Sequence, residues 1–150
     1  MRLIASVVGA AALIGSAHAQ SAAGMTLDEV AAVLKDNGFS ADVSEGAVYS
    51  ATNGFNFALY GYNCGAEARC NEFLFSASFD APAKVELATI NKFNSETLAG
   101  RAYLDGAGEP NVEHLFTVDS ADADLVERNL AIWDSLLMEF ATAIGYYNGA

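Results

Sequence analysis

Basic residues are scarce in this chain. The 150-residue sequence holds seven Lys and Arg against nineteen Asp and Glu, a formal net charge of −12. Nucleic acids and anionic membrane surfaces require clustered Lys and Arg, because these side chains neutralise phosphate groups. The composition therefore predicts no nucleic-acid partner. Solubility is the ordinary reason for so acidic a surface, and recognition of a basic partner is the alternative.

Histidine and cysteine are equally scarce, with two of each. The sequence also lacks Gly-x-Ser-x-Gly, His-Glu-x-x-His and phosphate-loop motifs. Outside the N-terminal segment the single histidine is His114, which shares a predicted strand face with Phe116. We expect it to be a structural, hydrogen-bonded histidine. Because a nucleophile–base pair is hard to assemble from this set, we predict no catalytic residues, no cofactor and no metal.

The N-terminal apolar run, residues 3–14, is too short for a membrane span, which needs roughly 20 residues. Arg2 before it and the small-x-small pattern of residues 17–19 are typical of a cleavable signal peptide. We therefore predict a signal peptide over residues 1–19 and a single domain over residues 20–150. The protein is expected to be periplasmic or secreted, without membrane insertion. Removal of Arg2 leaves six basic and nineteen acidic side chains, a formal charge of −13.

Alternating aromatic residues predict a central β-hairpin within residues 54–80. The apolar positions of its two arms are Phe55, Phe57, Leu59, Phe73, Phe75, Ala77 and Phe79. A period of two places them on one half-buried sheet face. Cys64 and Cys70 flank the loop between the arms. In an oxidising compartment we expect a disulfide bond between them, with a redox or metal-binding pair as the alternative.

The segments on either side predict the element order α-β-β-β-β-α-β-β-α. The Thr26-Leu-Asp-Glu29 capping box starts a helix over residues 27–37. Short strands over residues 39–44 and 47–52 follow, and Asn53-Gly54 is a two-residue hairpin turn into the central hairpin. The fold class is therefore α+β, with a mostly antiparallel sheet covered by helices.

The C-terminal half supplies two more helices and a hairpin. Asp80 as N-cap and Pro82 in the first turn predict a helix to about residue 95. Strands over residues 99–105 and 112–119 follow, with Val112, His114, Phe116 and Val118 on one face of the second strand. A final helix, capped by Ser120, has an apolar stripe of Val126, Leu130, Trp133, Leu137, Phe140 and Ile144.

Three features suggest binding surfaces, each with an ordinary structural alternative. Leu125, Ile132 and Leu136 widen the final helix's stripe, which indicates either a second packed side or an interface, including a homodimer. Four strand tyrosines either line a groove on the sheet or lie at the edge of the core: Tyr49, Tyr60, Tyr62 and Tyr103. Arg101 is expected to have a carboxylate partner, internal or in a ligand. The candidate binding surface is Tyr60, Tyr62, Arg101, Tyr103, Ile132 and Leu136.

Acidic residues offer the remaining chemistry. Asp119, Asp122, Asp124 and Glu127 could bind calcium, although helix capping explains most of them. Paired carboxylates could serve a glycoside hydrolase, but their separation is spatial and no motif indicates them.

Several segments of the chain resemble the YbjN family of bacterial proteins, a likeness that covers nearly all of residues 20–150. The segments are residues 54–64, 75–80, 90–94, 100–105 and 129–133, with Asn91-Lys-Phe-Asn94 before Arg101-Ala-Tyr-Leu-Asp105 as the most specific part. The resemblance implies a type III secretion chaperone-like fold, whose members dimerise and hold partner peptides. The predicted signal peptide departs from the cytoplasmic secretion chaperones. The resemblance implies a non-enzymatic binding or regulatory module for a peptide or protein, and the predicted signal peptide makes it an exported one. The alternative is a small periplasmic carboxylate-based hydrolase or ligand-binding enzyme.

Overall fold

The computed structural model of the protein describes residues 23–81 and 83–149, so the predicted signal peptide and its cleavage site lie outside the described residues. Within these ranges the helices and strands are α1 (Leu27–Asp36), β1 (Asp42–Ser44), β2 (Ala47–Thr52), β3 (Phe55–Cys64), β4 (Cys70–Ser78), α2 (Leu87–Glu96), β5 (Arg101–Leu104), β6 (Pro110–Thr117) and α3 (Ala123–Ala143), with short 3₁₀ turns at Ala66–Ala68 and Tyr146–Gly149. The predicted order and the α+β class are confirmed. None of the described helices is long and apolar enough to cross a membrane.

The strands form one antiparallel sheet in the order β1-β2-β3-β4-β6-β5. The predicted central hairpin, β3 and β4, lies in its middle. Asn53 and Gly54 join β2 to β3 with φ values of 50° and 83°. Both residue types tolerate this left-handed conformation, which a two-residue hairpin turn requires.

Helices cover one face of the sheet, where the alternating phenylalanines lie. The ring of Trp133 on α3 stacks on Phe75 with centroids 5.3 Å apart, and meets Phe57 edge-on at 5.9 Å. Trp133, Phe73 and Phe75 are fully buried. The predicted apolar row is therefore the sheet's contribution to the core, and the α3 stripe is the helical contribution.

The final helix begins later than predicted. Its N-cap is Asp122, whose carboxylate accepts a hydrogen bond from the Leu125 amide at 3.0 Å, and not Ser120. The reason is that Val118 is fully buried and its amide still donates to the Asn71 carbonyl at 2.8 Å. The chain is therefore bound to the sheet until that residue and turns into the helix only afterwards.

The predicted start of α2 at Asp80 is wrong. The helix begins at Leu87 after the N-cap Glu86, which makes no side-chain capping bond. Phe79 and Val85 are both buried, and the Phe79 amide donates to the Pro110 carbonyl at 2.9 Å. The chain is therefore still anchored against the core at Phe79 and Val85, and the helix begins only after them. Pro82, the expected first-turn residue, lies outside the described residues.

Three strand boundaries also differ from the prediction. β1 begins at Asp42 because the Phe39 amide donates to the Leu34 carbonyl and completes the end of α1. β5 begins at Arg101 because Gly100 has a φ of +78°, which interrupts a strand. β6 begins at Pro110, since the first position of a strand tolerates proline.

One side chain fastens α2 to β5. Asn94 Nδ2 donates to the Ala102 carbonyl at 2.9 Å, and Asn94 Oδ1 accepts from the Ala102 amide at 2.8 Å. Asn94, the last residue of the Asn-x-aromatic-Asn segment, thus has a structural role.

The predicted disulfide joins Cys64 to Cys70 at the end of the central hairpin. Cys70 pairs with Met25 through two backbone hydrogen bonds of 2.8 and 3.0 Å. Arg69, inside the loop, donates to the Gly24 carbonyl and to Glu29, the capping-box residue of α1. The Thr26 amide and Arg69 together hold the pKa of Glu29 below its usual value. The loop therefore fixes the start of α1.

Candidate functional site: a groove on the open face of the sheet

The sheet face opposite the helices is open and carries large side chains. Successive residues of a strand point to opposite faces, so the positions between the buried phenylalanines lie on this open face. Its aromatic and apolar members are Ala47, Tyr49, Ala51, Ala58, Tyr60, Tyr62, Leu74, Tyr103 and Leu115. Leu115 is 55% exposed and Tyr62 is 47% exposed. The four strand tyrosines, for which a groove on the sheet and the edge of the core were the alternatives, lie together on this face.

A groove of about 710 Å³ crosses this face. Its floor is Leu74 and Leu115, which are directly opposite each other on β4 and β6. One wall is the connection from α2 to β5, residues 98–100, in which Leu98 is fully exposed. The two ends are charged and lie on either side of this apolar floor.

The first end is an ion pair within the protein. Glu113 Oε2 accepts hydrogen bonds from Arg101 Nε at 2.9 Å and Nη2 at 2.7 Å, and Glu113 Oε1 accepts from the Tyr103 hydroxyl at 3.0 Å. The Arg101 guanidinium carbon lies 5.8 Å from the Tyr103 ring centroid. The hydrogen bond to Glu113, reinforced by its charge, raises the pKa of Arg101. The expected carboxylate partner of Arg101 is therefore internal.

The pKa of Tyr103 is raised by burial first and by the hydrogen bond and charge of Glu113 next. Since the folded value lies above the unfolded value of about 10, this group contributes stability below pH 10 that is lost as pH rises through its folded pKa. We expect ¹³C NMR of the tyrosine ring carbons to show Tyr103 titrating above 10, and Glu113→Gln to lower that value. A Tyr103 titration at or below 10 would contradict this reading.

The second end of the groove is Glu72 beside Tyr62, its cross-strand neighbour. Glu72 is partly buried. Among residues 23–81 and 83–149 no Lys, Arg or His forms an ion pair with it. The groove therefore has one neutralised carboxylate, Glu113, and one without a counter-charge.

The sequence-predicted surface is only partly assembled. Tyr62 and Arg101 line the groove, while Tyr60 and Tyr103 share its sheet face. Ile132 and Leu136 lie on α3 in the helical layer, along a separate cleft that shares Leu98 and Ala99 with the groove. Ile132 is 41% exposed.

The prediction that Leu136 belongs to a binding surface is wrong. Leu136 is 2% exposed, and its Cδ2 lies 2.5 Å from the point that a Cβ on Gly100 would occupy. The widened stripe of α3 is therefore partly core, packed behind the α2–β5 connection.

Sequence reasoning missed Glu72, Leu74, Leu98 and Leu115. The signal for two of them was available, because Leu74 and Leu115 occupy alternate positions in strands whose other face is aromatic. Leu98 lies in a connection without periodicity, where no pattern distinguishes a groove wall from a loop.

The His114 side chain packs in the core against Phe75, although the residue also contributes to the lining of the groove. Its Nε2 is 2.9 Å from Asn129 Oδ1, and its ring stacks on Phe75 at 6.4 Å. It is 8% exposed. The hydrogen-bonded structural histidine that the sequence predicts is what the structure contains.

The acidic residues near the start of α3 are not gathered into a metal site. In the described part of the chain, no group of three His, Cys, Asp or Glu side chains could hold a metal ion. Asp122 is the helix cap, as the capping alternative predicts.

Fold and groove together define a class: an α+β protein whose antiparallel sheet is covered by helices on one face and carries an open, apolar groove on the other. The sequence profile of the family YbjN, described as "Putative bacterial sensory transduction regulator", matches residues 26–145. The chain belongs to the YbjN family.

A solved structure gives the same fold. It is titled "Crystal structure of YbjN, a putative transcription regulator from E. coli", and it is similar to this chain with a TM-score of 0.60 at 18% sequence identity. The match covers 78% of this chain and 91% of that chain. At this identity the likeness shows the fold alone. The comparison with curated proteins finds no match.

Proposed function

We propose that this protein is an exported, non-enzymatic binding module that holds a protein or peptide segment in the groove of its open sheet face. The observation that supports it is the apolar floor and wall of the groove. Leu98 and Leu115 are large aliphatic side chains exposed to water in the same groove, and Leu74 lies directly opposite Leu115 on the neighbouring strand. A contiguous exposed apolar patch is typical of an interaction site.

The shape of the groove favours a macromolecular segment over a small metabolite. Small-molecule sites enclose most of the ligand, whereas this groove is open along the sheet. The tyrosines of the same face provide rigid, amphipathic contact area of the kind enriched in protein interfaces. A regulatory family description is consistent with binding, and the partner's identity is the part that experiment must supply.

Two features support export. The first nineteen residues have the charged, apolar and small-residue pattern of a signal peptide. The Cys64–Cys70 disulfide is the form that such a pair takes in an oxidising compartment. We therefore propose that the binding module acts in the periplasm or outside the cell.

The test is selection of peptides from a random displayed library on the immobilised, oxidised protein without residues 1–19, followed by affinity measurement. Leu115→Asp puts a charge on the groove floor and is expected to weaken binding by about 10-fold or more. Leu87→Asp is the matched control, because Leu87 is a comparably exposed leucine, 62% against 55%, on the helical layer. It should leave affinity unchanged.

Two results would overturn the proposal. One is failure to select any peptide that binds the folded protein. The other is binding that Leu87→Asp weakens and Leu115→Asp does not. Light scattering on the same preparation measures the oligomeric state, for which a homodimer through α3 remains a prediction.

A further inference from the structure

We infer that the groove selects a cationic partner, a protein segment in which Lys or Arg alternates with aliphatic residues, and that Glu72 receives the cation. The inference rests on the proposed function and adds the chemistry of the partner to it. It starts from the unequal state of the two carboxylates at the ends of the groove.

Glu113 is already neutralised. Its two oxygens accept three hydrogen bonds from Arg101 and Tyr103. A cation from a partner would therefore compete with a guanidinium that is already in place. At this end of the groove Glu113 links β6 to β5, and it has little remaining capacity to bind a cation from a ligand.

Glu72 is in the opposite state. It is partly buried beside Tyr62, lines the groove, and forms no ion pair with another described residue. A carboxylate with restricted access to water interacts more strongly with a nearby cation than a fully exposed one does. The adjacent Tyr62 ring can add a cation–π contact.

The apolar floor adds a second requirement on the partner, namely aliphatic surface next to the cation. Lys and Arg have long aliphatic stems that lie along apolar surface while the charged head stays polar. Leu74 and Leu115 adjoin Glu72 on the floor, and Leu98 forms the wall. A segment with aliphatic residues next to a basic one therefore satisfies the floor and Glu72 together.

The charge of the whole molecule disfavours the other occupants. With signal removal the formal charge is −13, so a second copy would bring like charges together across the groove. Nucleic acid and anionic lipid are repelled for the same reason. A basic protein segment is attracted, and its association rate should fall as salt increases.

The experiment uses three synthetic peptides of about eight residues, close to the length of a strand. They alternate Leu with Lys, with Gln or with Glu. We expect the Leu-Lys peptide to bind the signal-free protein most tightly and the Leu-Glu peptide least. Raising salt should weaken only the Leu-Lys complex substantially.

Glu72→Gln keeps the side chain's shape and removes its charge. It is expected to weaken binding of the Leu-Lys peptide by about 5-fold and to leave the affinity for the Leu-Gln peptide unchanged. Asp42→Asn is the matched control, because Asp42 is an exposed acid on the same sheet face at the β1 end, outside the groove lining. It removes the same charge from the molecule and should change affinity far less.

The outcomes separate this inference from the proposed function. If the peptides bind in a Leu115→Asp-sensitive manner but Glu72→Gln and Asp42→Asn have equal effects, the role of Glu72 is overturned and the groove is retained. If the Leu-Gln peptide binds as tightly as the Leu-Lys peptide, the cationic preference is overturned. If none of the three binds, the cationic preference is overturned, whereas the proposed function is overturned only if the random library also yields no peptide that binds the folded protein.

Discussion

Replacing Trp133 by alanine is expected to lower the free energy of unfolding by about 3–5 kcal/mol. The side chain is fully buried, it is the sole tryptophan, and it contacts both arms of the central hairpin through Phe57 and Phe75. Its removal leaves a cavity between the sheet and α3 that the surrounding aromatic residues cannot fill. Urea unfolding followed by far-UV circular dichroism measures the change.

Trp133→Phe is the informative control. Trp133 Nε1 has no hydrogen-bond partner among the described residues. The phenylalanine variant therefore loses side-chain volume and ring contacts without breaking a hydrogen bond. Its loss of unfolding free energy should be roughly half that of the alanine variant, or less. Equal destabilisation by the two substitutions would show that the indole nitrogen makes an important polar interaction, contrary to the structure.

Gly100→Ala is the second large effect, expected to destabilise by about 2–4 kcal/mol. Gly100 has a φ of +78°, and a Cβ there would lie 2.6 Å from the Glu113 carbonyl oxygen and 2.5 Å from Leu136 Cδ2. The carbonyl belongs to β6 and cannot move without disturbing the sheet. Thermal or chemical unfolding of the oxidised protein tests the prediction.

Gly108→Ala separates the two contributions to this effect. Gly108 has a similar φ of +87°, but no atom lies within 4 Å of the position of its added Cβ. It should therefore cost only the conformational strain, about 1–2 kcal/mol. If the two glycine variants are equally stable, the close approach of Gly100 to β6 is not a constraint on the fold.

The sequence allowed the sheet's buried face to be predicted because its period of two is unambiguous in β3 and β4. Phe55, Phe57, Phe73 and Phe75 alternate without interruption, and all four are buried. The capping box at Thr26 and Glu29 located the start of α1 for a similar reason, since both halves of the motif are local.

The helix starts that failed depend on contacts distant in sequence. Asp80 and Ser120 are good N-cap residue types, yet Phe79 and Val118 are held at the sheet by hydrogen bonds to Pro110 and Asn71. A local signal for a helix cap carries no information about such anchors. The helix in each case begins only when the chain has left the sheet.

The site was predicted in parts for the same reason. Tyr62 and Arg101 were recognisable because strand tyrosines and a rare base are conspicuous in this composition. Their convergence on one groove requires β4 and β6 to be adjacent, which the order β4-β6-β5 provides and the chain order does not. The surface prediction for Leu136 was wrong because helical periodicity cannot show that Gly100 packs against this side chain.

The pair of hydrogen bonds from Asn94 to Ala102 has a consequence for how a partner can approach. The amide side chain occupies the outward N–H and carbonyl of β5 and so acts as a short substitute for a seventh strand. An extended segment therefore cannot pair with the backbone of Ala102 by β-augmentation, and the same contact blocks edge-to-edge pairing of two chains at this residue. We therefore expect the proposed partner to contact the side chains of the sheet surface and not the backbone of Ala102.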